Sequence, residues 1–166
     1  MASGNTLIIF RAQDGRPTAS NGATFDLRNV HPVLDFDDST DEFAYFEGVL
    51  PSNYAGGGLT AYIHYAMTSA ILLTVEWEVA FERIGDGSQD IDSDGFAAAQ
   101  ASGAVTVPAT SGHVDIANIA FTDGAQIDSI AAGESFRLSI NRDANDGVND
   151  TAVGDAELLF IEIKET

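Results

Sequence analysis

Three aspartates alternate along one short stretch of the chain, and a glycine follows them: Asp90, Asp92, Asp94 and Gly95. This order of oxygen donors and glycine opens a calcium loop of the EF-hand type, which a bidentate Glu closes at position 12. Position 12 here is Ala101, so a calcium site would need a further carboxylate, such as Asp86. The pattern therefore leaves two interpretations open: a calcium site, or an acidic turn on the surface.

A second set of carboxylates could carry acid–base chemistry: Glu76, Glu78 and Glu82, in VEWEVAFE. Two glutamates two positions apart on a strand stand on one face, about 6.5–7 Å apart at their roots. That separation is close to what glycoside hydrolysis requires. The strand motif of jelly-roll glucanases, E-x-D-x-x-E, is not matched, because the spacing here is E-x-E-x-x-x-E. The pattern favours a solvent-facing strand surface and a protein that is not an enzyme.

The segment RDANDGVNDTAVGDAE, residues 142–157, forms a second acidic stretch. Its spacing of carboxylates matches no metal loop, and the Asp-Gly pair at 146–147 predicts a turn. We therefore predict a long surface loop, with Arg142 at its base placed to pair with one of the loop's carboxylates.

No other motif points to catalysis or to a cofactor. The sequence contains no G-x-S-x-G and no H-E-x-x-H, and its three histidines, His31, His64 and His113, fall on separate predicted strands or at their edges. The Gly-Gly-Gly at 56–58 lacks the Lys-Ser/Thr of a phosphate loop and predicts a tight bend. We predict no catalytic and no cofactor-binding residues, with calcium as the one possible ligand.

The elements that position these residues are strands. Apolar side chains recur with period two in segments such as ILLTVEWEVAFERI, where Val75, Trp77, Val79 and Phe81 share one face. Similar segments begin near residues 6, 24, 32, 42, 59, 103, 113, 135 and 156, with turn-rich joints between them. Short helical turns are expected only within residues 94–102 and 124–135. The pattern predicts a single-domain, all-β, jelly-roll-like antiparallel sandwich over residues 23–166, preceded by an N-terminal strand and arm over residues 1–22.

Composition narrows the function further. The chain has 166 residues, no cysteine and a formal charge of −19 at pH 7. The absence of cysteine excludes disulfides and thiol chemistry. The negative charge disfavours binding to nucleic acids and to anionic membranes. No apolar run approaches the roughly 18 residues of a membrane helix, and no basic segment precedes the first apolar run, so we expect cytoplasmic synthesis without a signal peptide.

A carbohydrate-binding role would require exposed aromatic side chains. Trp77 lies on the apolar face of its strand, so it is expected in the core. The remaining candidates are the four tyrosines: Tyr45, Tyr54, Tyr62 and Tyr65. Tyr62 shares strand parity with Thr60 and His64, which predicts a position that is either exposed or at an interface, and a jelly roll is a common lectin scaffold.

One long passage resembles a known group of proteins. The matching positions run from an aromatic-Gly-x-Leu-Pro segment through a Tyr-x-Gly-Gly segment to a tryptophan-bearing strand and an Asp-rich loop: Phe46, Gly48, Leu50, Pro51, Tyr54, Gly56, Gly57 and Trp77. In this pattern, and in the C-terminal segment from residue 142, the chain is similar to small jelly-roll structural proteins of tailed bacteriophages. The resemblance extends from about Asp35 to the C terminus.

The resemblance implies a structural virion protein. Its main implication is a capsid decoration (cement) protein, a homotrimer on the capsid surface that stabilises the phage head by binding the major capsid protein. The alternative is a tail, baseplate or carbohydrate-binding protein that recognises the host surface. The group has no catalytic motif to transfer.

Overall fold

Alternating apolar side chains form strands throughout the computed structural model, which describes residues 4–69 and 72–166. The strands are β1 (Thr6–Arg11), β2 (Arg16–Pro17), β3 (Thr24–Arg28), β4 (His31–Phe36), β5 (Phe43–Val49), β6 (Leu59–Met67), β7 (Thr74–Val75), β8 (Trp77–Ile84), β9 (Gln100–Ala101), β10 (Val105–Thr106), β11 (Asp115–Phe121), β12 (Ser135–Arg142) and β13 (Ala156–Glu165). Two three-residue 3-10 turns occupy Ala12–Asp14 and Ala125–Ile127. The described part of the chain has no helix with the length and apolarity needed to cross a membrane.

Two antiparallel sheets pack face to face. Sheet A has the order β11-β6-β13-β4-β3, with β1 also paired to β13, and sheet B has the order β2-β5-β12-β8-β9. The short strands β7 and β10 form a separate two-stranded ribbon. This arrangement confirms the predicted all-β, jelly-roll-like antiparallel sandwich.

The core lies between the inner faces of the two sheets. The apolar face predicted around Trp77 is confirmed, because Val75, Trp77, Val79 and Phe81 are all completely buried. Trp77 contacts the Phe36 ring edge-on at a centroid distance of 5.2 Å. Aromatic pairs of this geometry add stabilisation beyond their buried area, about 0.5–1.5 kcal/mol each.

The N-terminal segment packs on the sandwich. Strand β1 pairs with the C-terminal half of β13, and β2 pairs with β5. Phe10 lies in the core with its ring 5.3 Å from that of Phe46. The strand predicted within residues 1–22 is therefore part of sheet A, and residues 12–17 continue onto the edge of sheet B; residues 1–3 lie outside the described chain.

The long strand predicted over residues 71–84, of which residue 71 lies outside the described chain, is interrupted at Glu76. Strand β7 ends at Val75 and β8 begins at Trp77 in a different sheet. The polar face of this segment was predicted to lie in water, and this is wrong, since Glu76 is only 4% and Glu82 only 1% exposed. Arg137 pairs with Glu82, and residues of the loop 143–155 hydrogen-bond to the backbone of Glu76 on both sides.

The helical turn predicted within residues 94–102 is also wrong. Residues 95–99 form neither helix nor turn, and β9 follows them, paired to β8. Ala97 N–H donates to the Phe81 carbonyl oxygen at 2.8 Å, which attaches the loop to β8. Backbone hydrogen bonds to a neighbouring strand thus replace the helical bonds that the alanine-rich composition favours.

Candidate functional site

The outer face of sheet B carries a row of charged side chains across three strands. Arg137 on β12 pairs in register with Glu47 on β5 and with Glu82 on β8. In the next outward-facing row, Ser135 on β12 lies between two apolar residues, Val49 on β5 and Ile84 on β8. Side chains of one face repeat every second residue, so both rows point away from the core.

A loop closes over these rows. Residues 85–99, between β8 and β9, cross the outer face of sheet B and place Ile91 opposite the apolar row. The result is a groove of about 610 Å³, lined by Glu47, Gly48, Val49, Glu82, Ile84, Ile91, Ser135, Phe136 and Arg137. Three sheet strands, β5, β8 and β12, form the floor of the groove, and the crossing loop forms one wall.

Arg137 is the organising side chain of the groove. Its Nε donates to Glu82 Oε2 at 2.7 Å, and the Glu82 side chain is only 2% exposed. The guanidinium also lies over two aromatic rings, 5.0 Å from the centroid of Phe96 and 5.6 Å from that of Tyr45. The ion pair and the cation–π contacts hold the guanidinium in one orientation.

The groove combines exposed apolar and polar groups. Ile91 is 74% and Val49 55% exposed, so the groove presents apolar surface to solvent. Glu47, which pairs with Arg16 at the rim, keeps 54% of its side chain exposed. Such a surface suits a ligand with both C–H faces and hydrogen-bonding hydroxyl groups.

The three aspartates of the predicted calcium loop lie on the exposed outer side of the crossing loop. Asp94 Oδ2 accepts the backbone N–H of Asp90 at 2.6 Å, and Asp90 Oδ1 accepts that of Asp92 at 3.0 Å. These bonds are those of an aspartate-stabilised turn. Asp90, Asp92 and Asp94 do not bring their carboxylates together as a group of metal ligands within the described chain, and calcium binding there stays a prediction.

The four tyrosines divide between core and surface. Tyr65 is completely buried and donates its hydroxyl to Asp115 at 3.1 Å, so it is not available to a ligand. Tyr54 is 7% exposed and accepts the backbone N–H of Gly58. Tyr62 lies on the outer face of sheet A, and the Lys164 Nζ is 4.7 Å from the centroid of its ring. Tyr45 lies beside the groove on sheet B.

The glutamate pair considered for glycoside hydrolysis is not arranged for it. Glu76 is 4% exposed, and Glu78 accepts a hydrogen bond from Asn141 Nδ2 at 3.1 Å. A general acid or nucleophile must reach the glycosidic bond, and Glu76 has almost no accessible surface from which to do so.

The predicted partner of Arg142 is Asp150. The guanidinium donates from Nε and Nη2 to the two oxygens of Asp150, each at 2.8 Å, and both side chains are essentially inaccessible. It also donates to the carbonyl oxygens of Ala152 and Gly154. Every donor face of the guanidinium is therefore used to fix residues 150–154 against the end of β12.

Beside this ion pair, three carboxylates converge. One oxygen from each of Glu76, Asp143 and Asp146 lies within 4.8 Å of the others. Burial raises the pKa of Glu76, a hydrogen bond with the Asn149 side chain opposes the rise, and the charges of Asp146 and Asp143 add to it. Two backbone N–H groups, those of Val148 and Asn149, hold the pKa of Asp146 below its usual value.

A separate, half-buried carboxyl lies on the outer face of sheet A. Asp35 on β4 pairs in register with Glu157 on β13, and its Oδ1 is buried without a hydrogen-bond partner. Burial raises the pKa of Asp35 from 3.8 to about 6, with smaller contributions in the same direction from Glu157, Asp26 and Asp155, and Arg28 opposes them.

We expect the substitution Asp35→Asn to stabilise the protein at pH 7 by about 1 kcal/mol, a value reduced for the solvent screening of a half-buried group. Between pH 4 and pH 6 the folded state keeps its proton while the unfolded chain has lost it, so stability falls as the pH rises through this window. The gain from Asp35→Asn should therefore be absent near pH 4 and complete above pH 6. Urea denaturation at pH 4, 5, 6 and 7 measures it, and an equal gain at every pH would contradict the assignment.

Comparison with known proteins identifies the fold. No protein-family model and no curated protein matches the sequence. A family 35 carbohydrate binding module from Clostridium thermocellum is similar with a TM-score of 0.54 and 8% identity, over 98% of this chain and 100% of the module. A carbohydrate binding module of Cellvibrio mixtus lichenase 5A, in complex with cellotriose, is similar with a TM-score of 0.51 and 14% identity. The similarity covers 98% of this chain and 99% of that module.

A larger protein contains a similar unit. The Paenibacillus cycloisomaltooligosaccharide glucanotransferase, complexed with cycloisomaltoheptaose, gives a TM-score of 0.52 and 13% identity, over 97% of this chain and 18% of the enzyme. The present chain is thus similar to part of that enzyme's length only. At these identities the similarities establish the jelly-roll fold that carbohydrate-binding modules share.

Proposed function

We propose that this protein binds a carbohydrate in the groove on the outer face of sheet B. The observation that supports the proposal most directly is the groove itself, in which a fixed guanidinium and an exposed carboxylate lie beside exposed apolar side chains. A pyranose ring presents C–H faces and equatorial hydroxyls, so it matches Ile91 and Val49 with its faces and Arg137 and Glu47 with its hydroxyls. The fold shared with carbohydrate-binding modules supports the same function.

The charge of the protein selects among glycans. With a formal charge of −19, the protein as a whole repels polyuronates and phosphorylated glycans. Arg137 does not offset this, because Glu82 already neutralises it. We therefore expect neutral polysaccharides as ligands.

Affinity electrophoresis tests this proposal. The wild-type protein is run through native gels that contain neutral β-glucan, xylan or mannan, with alginate as the anionic control. We expect retardation by at least one neutral polysaccharide and none by alginate. Equal mobility in all gels would contradict the proposal, as would retardation by alginate alone.

A second candidate function is capsid decoration, which the sequence resemblance suggests. A structural feature that favours it is an apolar strip on the outer face of sheet A, where Ile9, Phe160 and Ile116 are 56%, 40% and 46% exposed. Ladder pairing places Phe160 and Ile116 on either side of His64 in one row, with Ile9 in the next. A face of this kind suits contact with the major capsid protein or with other copies in a trimer.

Co-sedimentation with undecorated phage capsids separates the two functions. Under capsid decoration, the wild-type protein pellets with capsids and Ile116→Ser does not, whereas neutral polysaccharides have no effect on its mobility. Under carbohydrate binding, Ile116→Ser leaves polysaccharide retardation unchanged.

A further inference from the structure

The convergent carboxylates at the base of the second acidic loop have an unsatisfied member. Glu76 is only 4% exposed, and its Oε2 is buried without a hydrogen-bond partner. A buried carboxylate oxygen without a donor is costly, and native structures rarely retain one without a reason. Asp143 and Asp146, whose oxygens lie within 4.8 Å, are acceptors as well and cannot satisfy it when ionised.

We propose that Glu76, Asp143 and Asp146 form a calcium site. The donors are all carboxylate oxygens, with no imidazole or thiolate in the group, which favours a hard cation. Calcium bonds to oxygen are 2.3–2.6 Å long, so two ligand oxygens on one ion can be up to about 5 Å apart. The observed spread fits within this limit without movement of the backbone.

The backbone around the three carboxylates is already fixed. Asp143 N–H donates to the Glu76 carbonyl at 3.0 Å, and Glu76 N–H donates to Asp150 Oδ2 at 3.1 Å. Asp150 is in turn held by Arg142. Two hydrogen bonds thus connect the loop to the backbone of Glu76, between β7 and β8. A bound ion would add a third connection between the loop and Glu76.

The site lies apart from the groove. Glu76 precedes Glu82 by six residues of nearly extended chain, roughly 20 Å. Calcium there would stabilise the sandwich and leave carbohydrate binding unchanged. This proposal is independent of the proposed function, and failure of one leaves the other standing.

Terbium luminescence and thermal unfolding test the site together. Trp77, the single tryptophan of the chain, adjoins Glu76 and can sensitise Tb³⁺ emission. We expect sensitised emission that calcium displaces, and a rise in Tm of about 5–10 °C at calcium concentrations near 100 times the Kd. Magnesium at the same concentration serves as the ion control and should give a smaller rise.

The variants Glu76→Gln and Asp146→Asn should lose both responses. Without calcium, Glu76→Gln should melt no lower than wild type because it removes repulsion, which separates loss of binding from loss of folding. The matched control is the triple variant Asp90→Asn/Asp92→Asn/Asp94→Asn, which should keep both responses. The proposal is overturned if wild type shows no response, if Glu76→Gln and Asp146→Asn respond fully, if the triple variant alone loses the responses, or if magnesium raises Tm equally.

Discussion

Replacing Arg142 with methionine is expected to lower the free energy of unfolding by about 3–5 kcal/mol, since removal of one partner leaves the other charge buried and unpaired. The Asp150 side chain is 1% exposed and receives two of its hydrogen bonds from Arg142. The carbonyl oxygens of Ala152 and Gly154 lose their donor as well. Urea denaturation measures the change, and the midpoint should shift without a change in slope.

The control for this prediction is Arg16→Met. Arg16 pairs with Glu47, but the two side chains are 64% and 54% exposed, and exposed pairs contribute about 0–1 kcal/mol. The double variant Arg142→Met/Asp150→Leu should recover part of the loss, because it removes the unpaired charge. A loss below about 1 kcal/mol for Arg142→Met would show that the pair is not the anchor of the loop.

The double variant Glu47→Ala/Ile91→Ser is expected to weaken carbohydrate binding by roughly 30–100-fold, from an unmade hydrogen bond and a lost apolar contact that together contribute about 2–3 kcal/mol. Both side chains are more than half exposed, so the fold should tolerate their replacement. Isothermal titration with the polysaccharide that retards the wild type most provides the measurement.

A matched double variant on the opposite sheet, Glu162→Ala/Ile9→Ser, removes the same groups from the outer face of sheet A. It should bind as the wild type does. If it loses affinity while the groove variant keeps it, carbohydrate binding belongs to sheet A and the assignment of the groove is wrong.

The strands could be predicted because one face of each strand packs on the core and the other does not, which leaves a period-two alternation of apolar residues in the sequence. The segment 156–165 was expected as a strand and is one over its full length, and the buried set around Trp77 follows from period two alone. The break at Glu76 could not be predicted in this way. It depends on Asp150 and Asp143, which come from a loop more than 60 residues later.

The candidate groove was missed because its parts are distant in sequence and look ordinary one at a time. Glu47, Arg137 and Glu82 meet only through the ladder of β5, β12 and β8. One signal was available: Arg137 is a rare basic residue in a very acidic chain, on the polar face of a strand. Phe96 was a second signal, because it is an aromatic residue that closely follows the aspartate-rich turn. In the structure its ring packs against that of Tyr45, with the ring centroids 5.2 Å apart.

A ¹H–¹⁵N NMR titration of the wild-type protein with a short oligosaccharide, cut from the retarding polysaccharide, tests the central claim most directly. The account predicts that chemical-shift changes concentrate on β5, β8, β12 and residues 85–99, with Arg137 Nε among the resonances that move. Changes confined to the outer face of sheet A, around Tyr62 and Phe160, or no changes at saturating oligosaccharide, would contradict it.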